Sequence, residues 1–393
     1  MSTAPAGDHG QLVVDAVVFG AGITGLWLCN RLLAEGYRCL LVERDAVGGV
    51  QTMASQGIIH GGTKYALTGR LTGSSEAIRE MPAVWKACLE GRGVPDLRTV
   101  RVLSENQYLW TSPGLLSRAS GLIASKVMQS RVERVQPDSF PEGFRGLSEA
   151  AELYRLDEPV LDTASLVEAL ACPLEKNLLI AEETWFEAGR VLIDGRTIRY
   201  RCLVLAAGAG NRGLLEQLGL EQPGMQLRPL HMVMARGELP ALFGHCMGHS
   251  SNPRATVTSY PLADGRGVWY VGGEIAEQGV TRDRDAQIAH ARDELARILP
   301  WVDFSKVEWA THRVTRAEPR MPGRRRPDTC FLQAQGDVLT LWPTKLAFAP
   351  KLAEAVIEHL RDTGVSPAGE TDCVSPGVVD RAPLPWEGDV QWS

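Results

Sequence analysis

The sequence has no excess of basic residues and no long uninterrupted apolar run. Lys and Arg number 41 against 47 Asp and Glu, which gives a formal net charge of −6 and predicts no nucleic-acid partner. The most apolar stretch, residues 12–29, is interrupted by Asp15 and three glycines, so no transmembrane segment is expected. Residues 1–11 lack the basic region and cleavage pattern of a secretory signal, and a cytoplasmic location is therefore expected.

The eight cysteines are scattered and form no CxxC pair. Paired cysteines at that spacing are typical of zinc ribbons, so no metal site is expected. Cys29 and Cys39 fall in stretches that are predicted to be buried. This placement favours reduced thiols of a cytoplasmic protein over a disulfide framework.

The start of the sequence contains a strand–helix–strand pattern. Residues 12–19 predict a buried strand, residues 23–35 a helix that ends at Gly36, and residues 38–42 a second strand. Because two parallel strands need a crossover connection, this order predicts a βαβ unit. Short β-rich runs then dominate residues 178–273. An α/β fold in which a Rossmann-like domain is interleaved with an antiparallel-sheet domain would give this pattern.

The turn between the first strand and the helix carries the motif GxGxxG, formed by Gly20, Gly22 and Gly25. In a dinucleotide-binding turn the first glycine permits the tight turn, the second admits the pyrophosphate, and the third lets helix pack on strand. The helix N-terminus offers N–H groups to the phosphates, and Glu43 at the end of the second strand can accept hydrogen bonds from ribose hydroxyls. A glycine turn without a nucleotide is the alternative, but the strand, the helix and the acidic residue together favour a dinucleotide.

Two further segments favour FAD over NAD. Residues 43–52 continue beyond Glu43 with Arg44, a glycine pair and Thr52, similar to the extension that covers the second half of FAD. Residues 202–210 form an apolar strand that runs into a small-residue turn with Gly208, similar to the strand that completes an FAD domain. An ordinary strand and turn is the alternative interpretation of the second segment.

These segments, together with residues 55–65, 268–273 and 309–328, resemble the D-amino acid oxidase superfamily of FAD-dependent oxidoreductases. The superfamily includes glycine and sarcosine oxidases, glycerol-3-phosphate dehydrogenase and L-2-hydroxyglutarate dehydrogenase. The resemblance implies an oxidase or dehydrogenase that moves hydride to flavin N5 from a C–H bearing an amine or a hydroxyl. It also implies that oxygen or another acceptor reoxidises the flavin. The family's glycine-rich turn before the last helix is missing from residues 341–346.

The resemblance also predicts site residues. The candidates for catalysis are His60, Lys345 and Arg316. The candidates for cofactor binding, besides those named above, are Ser55, Pro343, Thr344 and Lys345, and the candidates for substrate binding are His60, Lys64, Arg313, Arg316, Tyr260 and Tyr270. Either arginine could clamp a substrate carboxylate. For the two tyrosines, packing in the sheet is the competing interpretation. His231, His245 and His249 show no metal-ligand spacing and are interpreted as structural.

The domain division follows from the same elements. Residues 12–80, 160–212 and 310–362 are assigned to a discontinuous FAD-binding domain; residues 81–159 and 213–309 to a substrate domain; and residues 366–393 to an irregular C-terminal tail on the surface. The predicted function is oxidation of a small polar substrate, an amino acid or a 2-hydroxy acid. A flavin-binding but catalytically weak subunit that supports a partner protein is the alternative function, motivated by the substituted turn at Pro343.

Overall fold

The computed structural model describes residues 12–62, 78–111, 132–149, 151–248, 252–325, 327, 329–369 and 379–393. In this part of the chain the strands form one sheet each of eight, six, four and two strands. The strands are β1 (Leu12–Val13), β2 (Ala16–Phe19), β3 (Cys39–Glu43), β4 (Val102–Ser104), β5 (Gln107–Thr111), β6 (Val132–Arg134), β7 (Leu153–Leu156), β8 (Val160–Leu161), β9 (Leu178–Ile180), β10 (Thr184–Glu187), β11 (Arg190–Ile193), β12 (Arg196–Arg199), β13 (Cys202–Leu205), β14 (Met225–Gly237), β15 (Gly244–Met247), β16 (Pro253–Pro261), β17 (Gly267–Gly272), β18 (Glu308–Pro319), β19 (Phe331–Gln335) and β20 (Val338–Trp342).

The α-helices in the described ranges lie between these strands and at the end of the fold. They are α1 (Ile23–Ala34), α2 (Met81–Leu89), α3 (Thr163–Ala171), α4 (Asn211–Gln217), α5 (Glu274–Gln278), α6 (Arg284–Ile298) and α7 (Ala349–Asp362). Among the described residues, no helix combines the length and the apolar character needed to cross a bilayer.

The six-stranded sheet is mostly parallel, with β2 near its centre. Its order is β19-β20-β13-β2-β3-β9, and all neighbours are parallel except the edge pair of β19 and β20. Because β3 and β13 lie on opposite sides of β2, the strand order reverses there. The carboxyl ends of the strands at such a reversal form a crevice that can hold a ligand.

The first predicted strand, residues 12–19, is divided in the structure. Asp15 separates β1, which belongs to the four-stranded sheet, from β2 in the six-stranded sheet. The Asp15 carboxylate is buried, and it accepts hydrogen bonds from the backbone N–H groups of Arg38 (2.9 Å) and Ala368 (3.1 Å). A buried carboxylate needs such hydrogen-bond partners. The chain bends at Asp15 to make these bonds, so β1 and β2 do not form one continuous strand.

The eight-stranded sheet has the order β18-β14-β17-β16-β15-β5-β7-β6 and is antiparallel except for the pair of β15 and β5. One of its faces packs on α6, which buries Ile288, Ala291, Leu295 and Ile298 as the helical spacing predicts. The opposite face looks toward the six-stranded sheet. Together the two sheets confirm the predicted α/β fold with an antiparallel sheet.

The division into domains stays a proposal, and three of its boundaries change with the structure. Strand β18, whose residues from 310 onward were assigned to the FAD-binding domain, pairs along its length with β14 in the eight-stranded sheet. Helix α2 packs on α1 beside the six-stranded sheet, because the Trp85 ring lies 4.5 Å from that of Trp27 in α1. Helix α4 also lies there, with Leu215 buried among residues of the six-stranded sheet.

The C-terminal segment, residues 379–393, is irregular but is not a surface tail. Val47 forms a parallel bridge with Arg381, and the Val47 N–H donates to Asp380 O at 3.0 Å. Trp386 is buried in the main core cluster, and the backbone N–H of Ser393 donates to Trp309 O at 3.0 Å. The segment therefore connects the loop after β3 with the eight-stranded sheet.

Candidate active site

A cavity of about 930 Å³ opens at the carboxyl ends of the central parallel strands. Phe19, Glu43, Ala206 and Trp342, at or just beyond the ends of β2, β3, β13 and β20, all line it. Its other wall comes from the inner face of the eight-stranded sheet, including Met232, Thr256 and Val314. The volume lies at the upper end of the range of about 300–1,000 Å³ for small-molecule and cofactor sites.

The glycine turn lies at the cavity, and a different physical constraint requires glycine at each of its three positions. Gly20 has a φ of +103°, and a Cβ there would lie 2.5 Å from the Ala207 Cα. A Cβ on Gly25 would lie 2.0 Å from the Gly20 carbonyl oxygen, so α1 could not pack as closely on β2. A Cβ on Gly22 would meet only Thr52 Oγ1, at 3.2 Å, within a 4 Å radius. Gly22 and Gly20 line the cavity, whereas Gly25 acts behind the turn.

Glu43 and Thr52 hold the N-terminus of α1 in place. Glu43 Oε2 accepts a hydrogen bond from the Ala21 N–H at 2.7 Å, and its Oε1 accepts from the Arg44 N–H at 2.9 Å. Thr52 Oγ1 accepts from the Ile23 N–H at 3.0 Å. Both side chains line the cavity, so the two residues that fix the helix end are also available to a bound ligand.

The remaining predicted cofactor residues also line this cavity: Arg44, Ser55, Gly208, Pro343, Thr344 and Lys345. Arg44 is exposed at the rim, where it pairs with Asp45. The segment after β20 takes a sharp turn, because Thr344 has a φ of +60° and its hydroxyl donates to Thr329 O at 3.0 Å. The indole N–H of Trp342 donates to the Gly208 carbonyl at 3.0 Å, which ties the two strand ends together.

Two histidines lie at the end of the cavity beneath the eight-stranded sheet. His60 and His245 both line the cavity, their ring centroids lie 5.8 Å apart, and their planes are tilted by 23°. His245 Nδ1 lies 2.8 Å from the Thr256 hydroxyl. The sequence interpretation of His245 as merely structural is therefore incomplete. Only the pairing of β15 with β5 and β16 brings it to the cavity, since no spacing in the sequence links it to His60.

The structure separates the two candidate arginines. Arg316 lines the cavity, and its Nη2 lies 3.9 Å from Glu277 Oε1. Arg313 is exposed, and it donates to the backbone oxygens of Val280 (3.0 Å) and Arg282 (2.5 Å). Because side chains alternate along a strand, two residues that are three apart on β18 point to opposite faces.

The two candidate tyrosines do not line the cavity. Tyr260 and Tyr270 are buried, with ring centroids 4.3 Å and 5.7 Å from that of Trp386. The Tyr270 hydroxyl donates to Ala54 O at 3.1 Å. Burial raises the pKa of both phenols, because it disfavours the phenolate. Lys64, the remaining candidate, lies outside the described residues.

Two glutamines that sequence reasoning missed attach the loop after β3 to the eight-stranded sheet. Gln51 Oε1 accepts from the Ala317 N–H at 3.0 Å. Gln56 Nε2 donates to Thr256 O at 3.1 Å and to Tyr270 O at 2.9 Å. Both side chains line the cavity. No local pattern marks them, because their partners are 200 or more residues away in the sequence.

These features define a class: a two-sheet protein with a dinucleotide-type glycine turn at the ends of parallel strands and a cavity that extends from this turn to the inner face of an antiparallel sheet. The family model described as FAD dependent oxidoreductase matches residues 15–337. “Probable FAD-dependent oxidoreductase PA4991” of Pseudomonas aeruginosa is 50% identical over 364 residues, which cover 91% of this chain and 93% of the relative. The chain therefore belongs to the DAO family of FAD-dependent oxidoreductases, as the resemblance in the sequence predicted.

Solved structures show the same fold. The crystal structure of the Pseudomonas aeruginosa protein PA4991 matches with a TM-score of 0.84 and 43% identity, covering 98% of this chain and 99% of that chain. Glycine oxidase from Geobacillus kaustophilus matches with a TM-score of 0.65 and 16% identity, covering 95% and 100%. L-amino acid deaminase from Proteus vulgaris, with a specific insertion sequence deleted, matches with a TM-score of 0.64 and 16% identity, covering 91% and 93%.

FAD, the cofactor of this family, fits the residues present. Gly22 lines the cavity and has no side chain, which leaves the space that a pyrophosphate needs. Glu43 lies at the end of β3, where a carboxylate can accept from ribose hydroxyls. The segment from Pro343 to Lys345 lines the cavity where the resemblance in the sequence predicts a glycine-rich turn.

Proposed function

We propose that this FAD-dependent oxidoreductase oxidises a small polar substrate that carries a carboxylate, removing hydride from a carbon that bears an amine or a hydroxyl. One observation carries the proposal: a single cavity joins the glycine turn and Glu43 to His60, His245 and Arg316. Bound FAD supplies the two-electron acceptor, and the chain binds and orients the substrate beside it. Oxygen or another acceptor then takes the electrons.

Arg316 is the proposed carboxylate-binding residue. A guanidinium presents paired N–H donors that match the two oxygens of a carboxylate. Glu277, whose Oε1 lies 3.9 Å from Arg316 Nη2, accepts a hydrogen bond from Asn252 Nδ2 at 3.0 Å through its other oxygen. Glu277 orients the Arg316 guanidinium. A substrate carboxylate would bind the guanidinium beside Glu277 or replace Glu277 as its partner.

His60 and His245 are the proposed groups for the amine or hydroxyl. An imidazole nitrogen that carries a lone pair can accept the proton of that group, and one that carries hydrogen can donate to it. Leu230, Met232 and Val314 supply apolar cavity wall nearby. Such a wall excludes water and strengthens the polar contacts inside the site.

Lys345 is the proposed cation toward the flavin. Its Nζ lies 5.3 Å from the centroid of the Phe348 ring, and the residue lines the cavity. A cation within reach of the flavin pyrimidine edge would favour the anionic reduced ring. Lys345 thus takes the place of the backbone donors of a glycine-rich turn.

The test is anaerobic bleaching of the yellow holoenzyme with a panel of candidate substrates. The panel pairs amino acids with 2-hydroxy acids of the same carbon skeleton, namely glycine with glycolate and alanine with lactate. It also includes two secondary amines, proline and N-methylglycine. The names of the structural neighbours glycine oxidase and L-amino acid deaminase favour the amino acids. We expect at least one compound to bleach the flavin with saturation kinetics. A yellow protein that no panel compound bleaches would instead support the alternative of a catalytically weak flavin-binding subunit.

A matched pair of variants tests the carboxylate site. Arg316→Lys keeps the charge but loses the planar fork, so we expect the concentration for half-maximal bleaching to rise about tenfold or more. Arg313→Lys, on the opposite face of the same strand, serves as the control and should leave it unchanged. Equal effects of the two substitutions would contradict the assignment of Arg316.

A further inference from the structure

A buried carboxylate, Glu158, lies beside His60 at the substrate end of the cavity. Its side chain is 3% exposed, and Oε1 accepts a hydrogen bond from the Gly61 N–H at 2.7 Å. Oε2 lies 3.3 Å from His60 Nδ1. Because a buried carboxylate is costly without partners, these contacts account for its place in the fold. Neither the family motif nor the cavity lining points to this residue.

The backbone brings Glu158 to His60 although they are 98 residues apart. Residues 57–59 run antiparallel to residues 159–161: the Ile59 N–H donates to Pro159 O and the Leu161 N–H donates to Gly57 O, both at 2.9 Å. A Cβ on Gly57 would lie 2.0 Å from Leu161 O, and one on Gly61 would lie 3.3 Å from Glu158 Oε1. Glycines at these two positions therefore allow the close approach of the two segments.

We infer that Glu158 is the positioning residue for His60, and that it fixes Nδ1 as the protonated nitrogen and Nε2 as the proton acceptor at the substrate. The inference rests on the proposed function, because it assigns the group that receives the substrate proton. An ionised carboxylate only accepts hydrogen bonds, so the imidazole nitrogen that faces it carries the hydrogen. In a neutral imidazole the lone pair then lies on the other nitrogen, and the hydrogen bond selects the tautomer.

This tautomer matches the proton balance of the oxidation. In this oxidation the substrate C–H hydrogen would leave with its two electrons, which bound FAD would accept. For a hydroxyl, the electron pair of the O–H bond becomes the second bond of the C=O product. For an ammonium group, the electron pair of one N–H bond becomes the second bond of the C=N product, which keeps the positive charge. The released proton goes to His60 Nε2, and the imidazolium that forms faces the Glu158 carboxylate, which stabilises its charge. A ring with its hydrogen on Nε2 could not accept that proton there.

His245 restricts the orientation of the same ring. Its imidazole lies nearly parallel to that of His60, with a centroid distance of 5.8 Å, and its own Nδ1 is held at 2.8 Å from Thr256 Oγ1. The His60 ring therefore has Glu158 near Nδ1 and a second ring stacked beside it. Contacts of this kind hold a proton acceptor within the narrow range of geometry that catalysis requires.

The tautomer can be measured without knowing the substrate. We expect histidine-selective ¹⁵N NMR of the holoenzyme to show His60 with a protonated Nδ1 and an unprotonated Nε2, the resonances being assigned by comparison with His60→Gln. Glu158→Gln should reverse this, because the amide NH₂ can donate to Nδ1 and leave the hydrogen on Nε2. A wild-type ring protonated on Nε2 would overturn the inference, whichever compounds bleach the flavin.

Kinetics on any compound that bleaches the flavin add a second readout. Glu158→Gln and His60→Gln should each slow bleaching at saturating substrate by about a hundredfold or more. The double variant should be no slower than His60→Gln alone, because the two residues act as one unit. Multiplied effects in the double variant would contradict the inference. Glu152→Gln, which alters another buried carboxylate that accepts from the Tyr154 hydroxyl at 2.8 Å, is the control and should bleach normally.

Discussion

The indole ring of Trp386 packs on the phenol ring of Tyr260, with their centroids 4.3 Å apart. Trp386 belongs to the C-terminal segment, and Tyr260 belongs to a central strand of the eight-stranded sheet. The same segment forms a bridge to Val47 in the loop that lines the dinucleotide part of the cavity. One stretch of irregular chain therefore links the two sides of the cavity, and Trp386 contributes a buried aromatic ring to that link.

The first prediction concerns this contact. Trp386→Ala should lower the free energy of unfolding by about 3–5 kcal/mol, the usual cost of deleting a buried large aromatic side chain. Urea unfolding followed by fluorescence measures it. Trp185→Ala is the matched control, because Trp185 is 59% exposed and its loss should change stability by less than about 0.5 kcal/mol. Similar losses in both variants would mean that Trp386 is not part of the core.

The second prediction separates two glycines of the same turn. Gly22→Val should give a folded but colourless protein, because the new side chain occupies cavity space that the pyrophosphate needs. Gly25→Val should instead lower the melting temperature of the FAD-free protein, because its Cβ would lie 2.0 Å from the Gly20 oxygen. FAD absorbance per chain and thermal melting of the stripped proteins distinguish the two effects. Full FAD content in Gly22→Val would refute the role given to this turn.

The third prediction concerns Glu43. Glu43→Arg should abolish tight FAD binding, because a cation replaces the acceptor for the ribose hydroxyls and for the Ala21 N–H. Binding is measured by titrating stripped protein with FAD and following flavin fluorescence. Glu35→Arg, which makes the same charge change at the end of α1 away from the cavity, is the control and should bind FAD normally. A variant Glu43→Arg that purifies fully yellow would show that the ribose assignment is wrong.

The fourth prediction concerns Lys345 and the reduced flavin. Removing a cation that stabilises the reduced anion should lower the midpoint potential, and a loss of about 2 kcal/mol corresponds to about 40 mV for a two-electron couple. Spectroelectrochemical titration of Lys345→Met against wild type measures the shift. Lys351→Met, in α7 and outside the cavity, controls for the general loss of one positive charge. Equal potentials in wild type and Lys345→Met would remove the proposed role.

The fifth prediction concerns pH and a buried histidine. Burial lowers the pKa of His231, although its Nδ1 lies 3.0 Å from the Gly279 oxygen, and Arg313 on the paired strand lowers the pKa further. Because the folded pKa is below the unfolded one of about 6.5, the unfolded chain binds the proton first as the pH falls. The stability that neutral His231 contributes is therefore present above the unfolded pKa of about 6.5, and it is lost as the pH falls toward the folded pKa.

His231→Gln tests this sign. Between pH 7.5 and pH 5.5, the free energy of unfolding should fall less in this variant than in wild type, as measured by urea unfolding at each pH. His312 also has a pKa lowered by burial, so part of the wild-type decrease should remain in the variant. An identical decrease in both proteins would contradict the prediction for His231.

Local sequence patterns determined the nucleotide side of this protein. Strand β2, the glycines Gly20, Gly22 and Gly25, and Glu43 lie in one continuous stretch of sequence. The role of each of these residues depends on its neighbours in the sequence, so the pattern can be recognised without the structure. Hence the βαβ unit, the dinucleotide and, by resemblance, the FAD family could be predicted, and the family and cofactor are confirmed. A strand-rich middle region similarly predicted the antiparallel sheet.

Tertiary structure alone decided which side chains meet at the end of the cavity beneath the eight-stranded sheet. Strand alternation on β18 turns Arg316 into the cavity and Arg313 away from it, and burial under Trp386 removes both tyrosines from the lining. Pairing between distant segments brings Glu158 and His245 to His60. These residues share no local spacing, because the site forms where separate strands meet, and only the folded backbone sets which of their faces point inward.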